Sequence, residues 1–89
     1  MQLHAFVSGR VQGVWFRGTT QEKAEELNLK GWVRNLSDDR VEVLAVGSQE
    51  SLQQLLDWLY IGPPLAQVSQ VEYEWSSSSP QFTGFRINH

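Results

Sequence analysis

Alternation of apolar and polar residues is the main pattern along this chain. Near the N-terminus, Leu3, Ala5 and Val7 are separated by single residues, which is typical of a strand with one buried face. The same two-residue period marks three later segments, at residues 32–36, 41–45 and 71–75. A polar loop is expected at residues 76–80, followed by a short strand at residues 82–87. The pattern therefore predicts five strands.

Two segments between these strands follow the period of a helix. In the first, the inward positions are Phe16, Thr20, Ala24 and Leu27. In the second, the apolar stripe consists of Leu52, Leu55, Leu56 and Leu59. Ser48 is expected to cap this second helix, and Gly62-Pro63-Pro64 is expected to end it, because proline cannot continue a helix.

The order of the elements predicts an α+β fold. Strand, helix, strand, strand, helix, strand, with one short strand added, is the ferredoxin-like, or split βαβ, plan βαββαβ. We expect a sandwich in which two helices cover one face of a mainly antiparallel sheet. The right-handed crossover rule places the first and third strands side by side in the middle. The loop after the first strand then approaches the middle of the second, so Arg17 and Asn35 are expected to share a pocket.

The segment between the first strand and the first helix is the best candidate for chemistry. Residues 9–17 read Gly-Arg-Val-Gln-Gly-Val-Trp-Phe-Arg. Gly9 and Gly13 permit a tight loop whose N–H groups converge on an anion. Arg17 at the helix start can donate two hydrogen bonds to one phosphate. The residues alone leave two interpretations open, a phosphate site or an ordinary turn with a surface arginine, because the glycine spacing is not specific and no Walker A loop follows.

Composition narrows the remaining classes of function. The length of 89 residues predicts one domain over residues 1–89, and the formal net charge of −3 does not favour nucleic-acid binding. The absence of cysteine excludes a thiol-based phosphatase, a zinc–thiolate site and disulfides. Neither His4 nor His89 has a carboxylate at ligand spacing, so no metal is expected. No signal peptide or membrane span is visible, which predicts a cytoplasmic protein.

Two motifs resemble signatures of the acylphosphatase family. Residues 9–17 resemble the first signature, and Gly31-Trp32-Val33-Arg34-Asn35 resembles the second. The separation of Arg17 from Asn35 also matches, and the resemblance extends over essentially the whole chain, including Gly62-Pro63-Pro64 and Phe85-Arg86-Ile87. The chain departs from the family at Asp38-Asp39, where Asp-Gly is more common, and this concerns the geometry of the hairpin turn.

The resemblance implies hydrolysis of acyl phosphates, which are carboxyl–phosphate mixed anhydrides, to a carboxylate and inorganic phosphate. It implies that Arg17 and Asn35 are catalytic, with Arg17 holding the phosphoryl group and the Asn35 amide orienting the attacking water. The implied phosphate-binding residues are Gln12, Gly13, Val14, Trp15, Phe16 and Arg17. No cofactor is implied, because phosphoryl transfer to water with a carboxylate leaving group mainly requires positioning and charge stabilisation. Whether Trp15 lines the pocket mouth or covers the core stays open.

Two other classes of function remain possible from the sequence. A ferredoxin-like binding module would hold an anion in the same loop without turnover. An RNA-binding domain has a similar topology, but the chain lacks the aromatic RNP1 pattern. The expected partners are a small acyl phosphate and competing phosphate or sulfate, with no nucleic acid and no membrane, and the protein is expected to be a monomer. Arg10 and Arg34 are expected to be solvated or salt-bridged.

Overall fold

Five strands and two helices form the fold in the computed structural model, which describes residues 1–77 and 80–89. In chain order they are β1 (Gln2–Arg10), α1 (Phe16–Glu26), β2 (Lys30–Asn35), β3 (Val41–Val46), α2 (Gln49–Leu59), β4 (Gln67–Ser76) and β5 (Phe85–Asn88). The predicted ferredoxin-like α+β fold with an added terminal strand is confirmed. Of the loop expected at residues 76–80, Ser76 belongs to β4, and residues 78–79 lie outside the described residues.

The strands form one sheet in the order β4-β1-β3-β2-β5. All neighbouring pairs are antiparallel except β2 and β5, which are parallel. The predicted adjacency of β1 and β3 is confirmed. Val41 of β3 pairs with Val7 of β1 on one side and with Asn35 of β2 on the other. Asn35, the last residue of β2, therefore lies level with Val7 of β1, about two strand spacings, or roughly 10 Å, away. β1 continues beyond Val7 to Arg10, on the side of the sheet where the loop to α1 begins.

One face of the sheet and the two helices enclose the hydrophobic core. The fully buried side chains include Leu3, Val7, Val43, Phe16 and Ala24, together with the stripe Leu52, Leu55 and Leu59 of α2. Ser48 caps α2 as predicted, because its Oγ accepts a hydrogen bond from Ser51 N at 3.2 Å. Helix α2 ends at Leu59, just before Gly62-Pro63-Pro64 as predicted, and Gly62, with a φ of 70°, donates its N–H to Trp58 O at 2.8 Å. Leu27 is the C-cap of α1 rather than a residue within it, and β5 begins at Phe85 rather than at residue 82.

The opposite face of the sheet holds a buried carboxylate. Glu42 of β3 is only 6% exposed, and its two oxygens lie 2.6 Å from His4 Nε2 on β1 and from Arg34 Nε on β2. Arg34 is therefore salt-bridged, as expected. Burial raises the pKa of Glu42, but the hydrogen bonds from His4 and Arg34 outweigh it and hold that pKa below its ordinary value.

This network predicts a loss of stability in acid. Because the folded-state pKa of Glu42 lies below its unfolded value of about 4.3, the stabilisation is present above that pH. It is lost as the pH falls through the folded-state pKa. We expect Glu42→Gln to show a weaker dependence of the unfolding free energy on pH below about 5, measured by denaturant unfolding. Equal pH dependence in the variant and the wild type would contradict this linkage.

Candidate active site

A cleft opens where the loop between β1 and α1 meets the end of β2. Its volume is about 430 Å³, and Arg17 and Asn35 both line it, as the topology predicts. The other lining residues are Val11, Gly13, Trp15, Phe16, Gly18, Ile87 and His89. Asn35 is the last residue of β2 rather than a mid-strand residue. The chain turns immediately after it, with Leu36 N donating to Arg40 O at 2.8 Å.

The loop approaches the cleft through two residues with left-handed backbone. Gly13 has a φ of 75°, and a Cβ at this position would meet no atom within 4 Å, so its backbone borders open space in the cleft. Trp15, the N-cap of α1, has a φ of 65°, and its side chain makes no capping hydrogen bond. Within the described residues, the backbone N–H groups of residues 13–18 donate to no protein acceptor. Unpaired N–H groups at a helix N-terminus are a favourable environment for an anion.

Gly9 has a different role from the one that its place in the motif indicates. It lies within β1 with a φ of 119°, at a shift in register against β4. A Cβ at Gly9 would collide with the carbonyl oxygen of Gln67. The left-handed backbone of Gly9 therefore serves the contact between two strands, and Gly9 does not line the cleft.

Arg17 is a half-buried cation in the first turn of α1. The positive end of the helix macrodipole disfavours a cation there by about 0.3–1 kcal/mol. Among the described residues the arginine ion pairs are those of Arg34 and Arg40, and Arg17 makes none. The described residues that line the cleft include no aspartate or glutamate. This wall of the cleft is therefore positively charged in a protein whose formal net charge is −3, which favours an anionic ligand.

Asn35 lines the same cleft and carries a buried, unpaired acceptor. Its Oδ1 is buried and has no hydrogen-bond partner within residues 1–77 and 80–89. A buried polar atom without a partner costs about 1–3 kcal/mol, and such atoms are rare outside functional sites. An amide oxygen accepts hydrogen bonds and does not donate them, so the group that satisfies it must carry an N–H or O–H. Water meets this requirement, and a fully ionised phosphate does not.

Gln12 connects the loop to the hairpin that carries Asn35. Its Nε2 donates to Leu36 O at 2.8 Å and to Arg40 O at 2.9 Å, the two residues that close the turn between β2 and β3. The side chain therefore points away from the cleft, although the sequence places Gln12 in the phosphate-binding set. Val14 from the same set is buried, with 6% exposure, and does not line the cleft either. The side chains of these two residues therefore do not contact an anion in the cleft.

Replacing Gln12 with alanine is expected to destabilise the protein by about 1–3 kcal/mol, because two partly buried carbonyls would lose a donor. Gln12→Glu should behave similarly, since a carboxylate cannot donate to a carbonyl. Denaturant unfolding measures the change. Gln53→Ala is the matched control, because Gln53 on α2 bonds only to the exposed side chain of Asp57. Equal stability in Gln12→Ala and the control would contradict the bridging role.

The sequence did not determine how two of the lining residues, Trp15 and His89, are placed. Trp15 lies at the mouth with 76% of its surface exposed, which decides between the two placements that the sequence left open. His89 also lines the cleft, although the sequence indicated no role for it there. The parallel pairing of β5 with β2 brings it there. The sequence did contain a signal for this placement. Alternate residues of a strand point to the same face, and Phe85 and Ile87, which face the core, precede His89 at intervals of two.

The fold and the cleft together define a ferredoxin-like protein whose first loop is suited to an anion. The family model for acylphosphatase matches residues 3–87. An acylphosphatase of Methylococcus capsulatus is 48% identical over 86 residues, covering 97% of this chain and 94% of the relative. One from Chloroflexus aurantiacus is 52% identical over 75 residues, covering 84% and 82%. The crystal structure of acylphosphatase from Bacillus subtilis matches with a TM-score of 0.96 and 38% identity, covering 99% of this chain and 98% of that one.

The chain therefore belongs to the acylphosphatase family. The resemblance read from residues 9–17 and 31–35 is confirmed, and so is the enzyme class that it implies. The roles of individual residues in the cleft stay predictions.

Two observations apply only to the part of the chain that the structure describes. None of its helices combines the length and the apolar character that crossing a membrane requires. No three His, Asp or Glu side chains in it are grouped so that they could hold a metal ion. The cytoplasmic location and the metal independence stay predictions.

Proposed function

We propose that this protein hydrolyses acyl phosphates by in-line attack of a water molecule held by Asn35 on a phosphoryl group held by Arg17 and the loop. The observation that carries this proposal is the cleft itself. It combines an unpaired guanidinium with a buried amide oxygen that lacks a partner among the described residues. A cation for the phosphoryl group and an acceptor for water are the two components that this reaction requires.

The phosphoryl oxygens are held by the backbone N–H groups of residues 12–16 and by Arg17. The guanidinium donates to two oxygens at once and offsets the charge that develops on them in the transition state. Gln12 and Val14 contribute through their backbone, because the side chain of Gln12 bonds to the hairpin and Val14 is buried. Gly13 leaves room for the anion to approach the backbone.

The attacking water donates a hydrogen bond to Asn35 Oδ1, which orients its lone pair toward phosphorus. The new P–O bond forms as the bond between phosphorus and the acyl oxygen breaks, and the electron pair leaves with the carboxylate. A carboxylate is a weak base, so it needs no general acid. The proton of the water passes to a phosphoryl oxygen of the substrate. Among the described residues, no aspartate or glutamate side chain lines the cleft to take it.

A turnover assay tests this proposal against a binding module that holds anions without reaction. Benzoyl phosphate is incubated with the protein in the presence of EDTA, and the release of phosphate is compared with spontaneous hydrolysis. We expect protein-dependent hydrolysis that phosphate and sulfate inhibit competitively. Saturable phosphate binding without hydrolysis would favour the binding module.

We further propose that residues 1–89 act as one monomeric, cytoplasmic domain without a metal or cofactor.

Phosphate is expected to stabilise the folded protein in a saturable manner. A ligand that binds only the folded state adds about 2.7 kcal/mol at a hundredfold excess over its Kd, which corresponds to several degrees in Tm for a domain of this size. Thermal melts across millimolar phosphate measure the effect. Phosphate also stabilises proteins nonspecifically at high concentration. Arg17→Ala should therefore keep only the roughly linear part, whereas Arg10→Ala, an exposed arginine outside the cleft, should keep both. A saturable rise of the Tm with phosphate in Arg17→Ala, equal to that of the wild type, would mean that the anion binds outside this cleft.

A further inference from the structure

The cleft is larger than the phosphoryl group requires. At about 30 Å³ per heavy atom, the value for liquid water, a phosphate of five heavy atoms fills roughly 150 Å³. The cleft has a volume of about 430 Å³, within the range of pockets that hold whole organic ligands. More than half of it is therefore left for the part of the substrate that carries the phosphoryl group.

The walls of the remaining space are apolar. Beside Arg17 and Asn35, the lining side chains with substantial apolar surface are Val11, Phe16, Ile87 and Trp15. Val11 and Phe16 are each 1% exposed and belong to the core, so they form the floor. Ile87 is half-buried, and Trp15 is the exposed member of the set. An apolar region beside a polar phosphate site favours an apolar acyl group over a charged or strongly polar one.

Trp15 is held at the mouth of the cleft by the backbone. A Cβ built on Gly18 would lie 2.7 Å from Cε2 and 2.8 Å from Nε1 of Trp15, so the indole rests on the first turn of α1 directly against Gly18. Trp15 has a left-handed backbone, with a φ of 65°, and its side chain lies outside the core. Bulky residues rarely adopt this conformation, and glycine or asparagine would suit it better. The fold therefore does not require tryptophan here, and a large exposed aromatic surface in a binding cleft is available to a ligand.

We propose that Trp15 and Ile87 form a subsite for the acyl group, and that this subsite makes the enzyme selective for acyl phosphates with an aromatic acyl group over small aliphatic ones. The inference rests on the proposed function. An aromatic acyl group packs in an offset or edge-to-face arrangement on the indole, while the phosphoryl group remains at Arg17. An acetyl group is too small to reach the same surface, so it gains none of this contact.

The test is the ratio of kcat/KM for benzoyl phosphate to kcat/KM for acetyl phosphate. Both substrates share the phosphoryl group, so a disturbance of the loop lowers both values and cancels in the ratio. We expect the ratio to fall about tenfold in Trp15→Ala, which is the size of one lost aromatic contact. Trp15→Phe should restore most of it. Tyr60→Ala, which removes an exposed aromatic side chain outside the cleft, should leave the ratio unchanged.

The possible results separate this inference from the proposed function. Hydrolysis of both substrates with the same ratio in the wild type and Trp15→Ala overturns the subsite and leaves the proposed function standing. A ratio that falls equally in Trp15→Ala and Trp15→Phe also overturns it, because an aromatic ring would then not be the feature recognised. Hydrolysis of neither substrate by the wild type overturns the proposed function and the subsite together.

Discussion

Arg17→Ala is expected to lose about 10³-fold or more in kcat/KM for benzoyl phosphate while remaining folded. Arginines that offset charge on a transferring phosphoryl group contribute about 10³–10⁵ in kcat. Arg17 is the arginine in the cleft, and no ion pair of the described residues involves it. Its removal therefore takes away transition-state stabilisation without breaking a salt bridge. Steady-state kinetics and denaturant unfolding, performed on the same preparation, measure the two effects.

Arg17→Lys distinguishes geometry from charge. Lysine keeps the positive charge but lacks the planar pair of donors that holds two phosphoryl oxygens, so this variant should lose most of the activity as well. Arg10→Ala is the matched control, because Arg10 is exposed and does not line the cleft. Turnover close to that of the wild type in either Arg17 variant would remove this residue from the mechanism.

Asn35→Ala is expected to lose about 10²–10³-fold in kcat, the usual effect of removing one group that positions a reacting atom. The inhibition constant for phosphate should change little, because the amide holds the water rather than the phosphoryl group. The free energy of unfolding should also show no loss from a broken hydrogen bond to Oδ1, since that atom has no partner among the described residues. The inhibition constant for phosphate, measured on the residual activity of Asn35→Ala, decides whether the amide holds the water or the phosphoryl group.

The two active-site variants are informative as a pair. Arg17→Ala should weaken both phosphate binding and turnover, whereas Asn35→Ala should weaken turnover alone. Asn35→Asp provides a further check, because it keeps the shape but places a negative charge beside an anionic substrate, and it should lose both. A large rise in the phosphate inhibition constant of Asn35→Ala would mean that Asn35 binds the phosphoryl group instead.

The hairpin after Asn35 shows how a local departure from the family pattern is accommodated. Asp39 has a φ of 74°, a conformation that glycine adopts easily and that aspartate tolerates better than most residues. The carboxylate of Asp38 accepts from Arg40 N at 3.3 Å and from Arg40 Nε at 2.8 Å, which stabilises the turn. The turn still closes between Leu36 and Arg40, where Gln12 is bound. The Asp-Asp sequence therefore preserves the support of Asn35.

Local sequence determined most of the fold. The period of two placed the strands, the leucine stripe placed α2, and Ser48 placed its start, because burial of one face requires a fixed repeat and capping requires one kind of side chain. The order of the elements then left few topologies, and the pairing of β1 with β3 follows from the crossover rule. The same topology also predicted that Arg17 and Asn35 share a pocket, although Asn35 was expected earlier in its strand.

Only the tertiary structure decided which side chains face the cleft. Gln12 bonds to carbonyls 24 and 28 residues away, and His89 reaches the cleft because β5 lies parallel to β2. The exposure of Trp15 and the unpaired Oδ1 of Asn35 depend in the same way on the surrounding elements. Hydrophobic periodicity specifies which face of an element is buried, but contacts between distant segments depend on strand register and loop conformation. Strand register and loop conformation cannot be inferred from the residues adjacent to a given position in the sequence, so these contacts were not predicted.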